Sequence, residues 1–140
     1  MDKQNIFNTV VAGIGTWFTY VFGAWDTALA VLIGFMLIDY LSGIVASYTN
    51  NILNSKIGFK GILKKSLILL VLILGVLLDR LLNDGTWVFR TLICYFYIAN
   101  EGLSIIENVG KCGVDFPPAI KNALTQLKEE NKKNIKEQDK

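Results

Sequence analysis

With 140 residues, 52% of them hydrophobic and 19% charged, and a mean hydropathy of +0.42, the chain is one small unit, more apolar than the roughly 45–50% usual for soluble domains. Its fourteen basic and twelve acidic residues leave a net charge of +2, and the basic residues flank apolar runs or alternate with glutamates, a distribution that excludes a nucleic-acid partner. The absence of histidine removes histidine bases, triads and histidine metal sites, so neither an enzyme nor a cofactor or metal site is expected.

The first five residues lack the basic region and cleavage pattern of a signal peptide, so the apolar segments are expected to persist. From Ile6 to Trp25 ten apolar residues recur at spacings of one and three. At about 100° per residue they fill one arc of about 160°, leaving Gly, Ala, Thr, Asn and Tyr on the other side. Gly15, Thr19 and Gly23 repeat every fourth position there, the small-x-x-x-small pattern that lets helices approach closely in a membrane. Two placements remain open for this amphipathic helix 6–25: along the interface, or as a fourth span with its small face toward other helices or water. A soluble core helix is disfavoured, because no soluble domain follows for it to pack on.

Three transmembrane helices are expected next, over about 27–48, 62–82 and 87–108. The first holds eleven consecutive apolar residues, Ala28 to Ile38, and then Asp39; the second has Leu67 to Leu78 unbroken at its centre. The third, beginning at Trp87 and Arg90, is the least hydrophobic, which predicts shielding by protein, with those two residues at the outer interface. Lys64 and Lys65 at one end of the second span and Asp79 and Arg80 at the other are expected to mark its borders by snorkelling. The stretch 49–65 carries Lys56, Lys60, Lys64 and Lys65 and no acid, which assigns it to the cytoplasm. Asn83-Asp84-Gly85 then forms a short outer turn, and the chain returns inside near Lys111. Cys94 and Cys112, about 27 Å apart on a continuous helix, cannot pair.

After Pro117 and Pro118 a short helix over 118–128 places Ile120, Ala123, Leu124 and Leu127 on one face. Residues 129–140 form a charged, frayed cytoplasmic tail, either merely solubilising or regulatory. The fold class is therefore an all-α integral membrane protein, a single membrane domain over 1–128 followed by that tail.

Asp39 and Glu101 lie at similar depth, about 18–21 Å from the outer ends of their spans, where ionisable groups are costly and face the bundle interior. Lys64 and Lys65 enter from the same side as their natural cations. A role in packing helices is expected for this set rather than ion transport, which normally involves more helices and internal repeats.

The run Asp39-Tyr40-Leu41-Ser42-Gly43 is followed by Asn54-Ser55-Lys56-Ile57-Gly58-Phe59-Lys60-Gly61, and later by Asn100-Glu101, Ser104, Asn108, Cys112-Gly113 and the paired prolines. In order and spacing, over about residues 30–128, these resemble the phage lysis and toxin-secretion holins of Gram-positive bacteria, including clostridial toxin-release holins. The resemblance implies Ser55, Gly58 and Gly61 as motif positions of a cytoplasmic loop. It also implies a homo-oligomer in the host cytoplasmic membrane that forms a lesion for an endolysin or exported toxin and triggers lysis. Asp39, Gly43, Glu101, Lys64, Lys65, Gly15, Thr19 and Gly23 are the packing and assembly candidates. Two other classes fit the residues: a small membrane anchor or assembly subunit that recruits a soluble partner, and a small-solute or ion transporter.

Overall fold

The computed structural model describes residues 2–82 and 86–138; the outer turn expected at 83–85 lies outside them. Five helices follow one another: α1 (Lys3–Phe22), α2 (Thr27–Thr49), α3 (Ser55–Leu82), α4 (Val88–Lys111) and α5 (Pro118–Gln138). Among the described residues, α2 and α3 are long and apolar enough to cross a membrane.

Helix ends follow local chemistry. Asp26 caps α2 by accepting a hydrogen bond from the Leu29 amide at 2.9 Å. At its other end Asn51 takes φ 56°, and the Ile52 amide bonds back to the Ser47 carbonyl at 3.0 Å, a Schellman closure in which asparagine tolerates the left-handed position. The Asn54 side chain accepts from the Ile57 amide at 3.0 Å and starts α3. The segment 49–65, expected as a loop, is therefore helical from Ser55 onward, and residues 50–54 alone connect α2 to α3. Lys, Ile, Phe and Leu are adequate helix formers, and repulsion between lysines four apart costs only tenths of a kcal/mol. The tail expected to fray after residue 128 continues α5 as helix to Gln138, in a stretch rich in Lys, Glu and Gln, which have high helix propensity.

The core gathers Phe22, Leu29, Leu32, Met36, Ile68, Leu72, Cys94 and Ile98. Packing centres on α4, which meets α2 most extensively and then α5 and α3. Two glycines permit this closeness. A Cβ at Gly75 would lie 2.5 Å from Ile93 Cδ1, and one at Gly102 would lie 2.8 Å from Leu124 and 3.0 Å from Phe35. The bundle has two ends: Cys112 Sγ reaches Thr49 Oγ1 at 4.0 Å at one, and Asp79 holds the start of α4 at the other.

α1 joins the bundle only through its C-terminal turn, where Phe18, Val21 and Phe22 pack, while Phe7, Ile14 and Trp17 stay more than half exposed. Its small face is likewise unpacked: Gly15 has no neighbouring atom within 4 Å, and Gly15 and Thr19 border an open hollow of about 700 Å³ shared with Arg80 and Trp87. Gly23 belongs to a different job. Its φ of 84° terminates α1, and an added Cβ would meet Arg90 at 2.9 Å, so helix α1 ends at Phe22 rather than at Trp25.

Candidate functional site

One lysine joins three helices. Lys65 of α3 donates from Nζ to Asp39 Oδ2 of α2 and to Glu101 Oε2 of α4, with 13%, 11% and 0% of the three side chains exposed. Glu101 Oε1 accepts no hydrogen bond, and the Lys64 ammonium stands 3.6 Å from it on a side chain that is 60% exposed. The Asn108 amide closes the layer, donating to Asp39 Oδ1 at 3.1 Å, to the Asp39 carbonyl at 3.3 Å and to Ser42 Oγ at 3.2 Å. Two carboxylates thus face two ammonium groups, and the layer is formally neutral. Lys65, bonded to both carboxylates, carries most of the geometry, while Lys64 contributes a screened, partly hydrated charge.

A cavity of about 210 Å³ opens beside this layer, between α2 and α3 with one wall on α4. Asp39, Gly43, Gly58, Gly61, Lys64 and Lys65 line it, together with Ser104 and Asn108. The glycines make room: a Cβ at Gly61 would press on the Tyr40 ring at 3.2 Å, and one at Gly43 would lie 3.5 Å from the Asn108 amide. Ser55 stands apart as the first, exposed residue of α3. Gly15, Thr19 and Gly23 are also outside this layer, on or just after α1. Among the described residues, no group of three His, Cys, Asp or Glu is placed to hold a metal.

A second polar cluster fastens the opposite end. Asp79 Oδ1 accepts from the Val88 and Phe89 amides at 3.0 and 2.9 Å, and Oδ2 accepts from the Arg90 amide at 2.8 Å, so a carboxylate from α3 caps α4. Arg90, fully buried, donates to the Phe22 carbonyl at 2.6 Å, to the Ala24 carbonyl at 2.5 Å and to both oxygens of Asp26 at 2.7 and 3.1 Å. These hydrogen bonds hold the Asp26 carboxyl below the usual carboxylate range. Asp79 and Arg90, expected as border residues, are interior struts: the first amides of α4 donate to Asp79, and α1 and its connection fold over the end of α4 and bring acceptors to Arg90. Arg80 donates to the Tyr20 carbonyl and stacks over the Tyr20 ring at 4.2 Å.

Sequence reasoning did not single out Asp26, Gly75 or Gly102, and it named Tyr40 within the motif run and Leu124 on an apolar helix face without giving either a contact. An aspartate just before an apolar run is an N-cap signal, which could have found Asp26. Glycines inside apolar helices point to close approach, which could have found Gly75 and Gly102.

The profile of the bacteriophage holin family matches residues 16–129, which include every residue of both polar clusters. A Clostridium perfringens protein described as an uncharacterized 14.9 kDa protein in the nagH 3′ region is 53% identical over 127 residues, covering 89% of this chain and 96% of its own. The uncharacterized protein YqxH of Bacillus subtilis is 34% identical over 86% of this chain and 85% of its own. A probable holin of Bacillus phage phi105 is 31% identical over 86% of this chain and 87% of its own. No solved structure matches. With more than two thirds of its length inside the family profile and a probable holin among its relatives, this membrane protein belongs to the bacteriophage holin family, which is not a family of enzymes.

Proposed function

We propose that copies of this chain accumulate in the host cytoplasmic membrane and assemble into a lesion through which an endolysin or an exported toxin passes, ending in lysis. The observation that carries the reading is the neutral layer of Asp39, Glu101, Lys64 and Lys65 inside a bundle whose α2 and α3 are apolar outside. Such a layer satisfies its charges within one copy, yet a small shift of α3 would offer the same groups to a neighbour. That is the property a protein needs if it must disperse first and assemble later.

In this reading residues 1–128 are one membrane domain and α4 is a third span. α4 is less apolar than α2 and α3, but its charges point inward: between Phe89 and Ile106, eighteen residues or about 27 Å, the charged side chains are Arg90 and Glu101, both buried. Lys56, Lys60 and Lys64 put the 50–54 connection and the adjoining end of α4 in the cytoplasm. An impermeant thiol reagent added to intact cells should therefore leave Cys112 unmodified before lysis begins. Early labelling from outside would reverse the topology.

Induced expression beside an endolysin that lacks its own export route tests the function. Growth should continue through a delay, stop abruptly and give way to lysis, and without the endolysin viability should fall without lysis. Continued growth at an abundance that saturates the membrane would refute the reading.

A further inference from the structure

α5 is seated where a membrane would not tolerate it. Leu124 fills the space left by Gly102, against Phe35, and Leu127 packs on the central core. Gly102 lies nine residues, about 13 Å, from the end of α4, so α5 climbs back along α4 and Leu127 reaches about mid-bilayer depth. Its outer face there exposes Gln126, Glu129 and Glu130, groups that are costly against hydrocarbon. A spanning α4 and a docked α5 therefore exclude each other unless water covers α5.

The same chain carries a better occupant for that groove. Along α3, Leu67, Leu70, Leu74, Leu77 and Leu81 recur at spacings of three and four and are 53–77% exposed, an apolar ridge with no partner among the described residues of the bundle. From Ser66 to Leu78 the helix has no charge, so the ridge can lie at the depth α5 cannot. Both α3 and α5 run antiparallel to α4, so a neighbour's α3 in the same membrane orientation enters the groove in the direction α5 leaves it. Resting on the lesion-forming reading above, we propose that α5 is a removable cover, and that in the membrane the α3 leucine ridge of a second copy replaces it in the α2–α4 groove at Phe35 and Gly102. Groove and ridge are different surfaces, so the contact is head-to-tail and propagates from copy to copy, as a growing ring or arc requires.

Depth selects the test pair. Leu70 lies five residues beyond Lys65 on α3, and Phe35 four before Asp39 on α2, which places both one step outward from the ion-paired layer. Differently tagged Phe35→Cys and Leu70→Cys chains, each with Cys112→Ser, are reconstituted together in liposomes of phosphatidylethanolamine and phosphatidylglycerol. A short bis-maleimide should link the two tags, and Leu124→Lys, which loosens the cover, should raise the linked fraction severalfold and hasten dye release. In a single chain, Phe35→Cys and Leu124→Cys joined in detergent by a reducible thiol cross-linker should slow dye release at least tenfold, with recovery on reduction. Absence of the mixed dimer, a slower or unchanged Leu124→Lys, or a locked chain as leaky as its reduced form would each overturn the proposal; the last would leave α5 docked with its polar face on water. Wild-type liposomes that hold their dye would instead overturn the lesion-forming reading itself.

Discussion

Lys65→Met should remove the protein from the membrane fraction or leave it unable to lyse, because the substitution strands two buried carboxylates in one layer. Asp39 and Glu101 would retain only the Lys64 ammonium, 3.6 Å from one oxygen and largely in water. Breaking a buried ion pair by deleting one partner costs about 3–5 kcal/mol, a large part of the stability of a small fold. Methionine fills the volume of the lysine stem, so the loss is electrostatic rather than a cavity. The decisive comparison is the triple variant Lys65→Met, Asp39→Asn, Glu101→Gln, which neutralises the layer and should recover membrane abundance, since an apolar or neutral replacement of a buried ion cluster is often tolerated. A triple variant as scarce as the single one would show that stranded charge is not what removes the protein. Asp39→Asn alone is the gentler probe: Lys65 keeps Glu101, Asn108 keeps its carbonyl acceptor, and the protein should accumulate with a shifted onset of lysis.

The meeting of Asp39 and Glu101 with the lysines was legible in the sequence. Counting 1.5 Å per residue from Thr27 and Trp87 puts Asp39 and Glu101 at one level, and the two lysines that enter from the same side meet them there. Boundaries were less legible. Positive charge identified 49–65 as one functional stretch but could not separate a lysine loop from a lysine-bearing helix, because charge governs topology and propensity governs backbone. The end of the bundle was illegible for a different reason. Asp79 and Arg90 look like border residues locally, and only the return of α1 across α4, from 66 to 68 residues away in sequence, supplies the carbonyls of Phe22 and Ala24 that make Arg90 interior. The α5 contact was hidden in the same way: Leu124 announces an amphipathic face, but its counterpart is the absence of a side chain at Gly102.

Arg90→Lys should free α1 from the bundle while α2 and α3 remain inserted. The guanidinium spreads its donors over the Phe22 and Ala24 carbonyls and both Asp26 oxygens, whereas an ammonium presents three donors from one point and cannot reach all of them. Each buried carbonyl left unpaired costs about 1–3 kcal/mol, and α1 has little else to hold it, since only its last turn packs. Hydrogen exchange in liposomes reads this directly: the amides of 3–22 should lose protection in Arg90→Lys and more so in Arg90→Ala, with those of 66–78 unchanged. Asp26→Asn should do less, because the carboxylate is 42% exposed and its attraction is screened by water. The Asp26 pairing also has a pH signature. Its carboxyl is held below the ordinary value near about 3.9, so its contribution is fully present above that value and fades as the pH falls through the lowered one. Protection of α1 should thus persist at pH 5 and decline only in stronger acid. Equal protection of 3–22 in wild type and Arg90→Ala would mean that α1 is held by the bilayer rather than by Arg90.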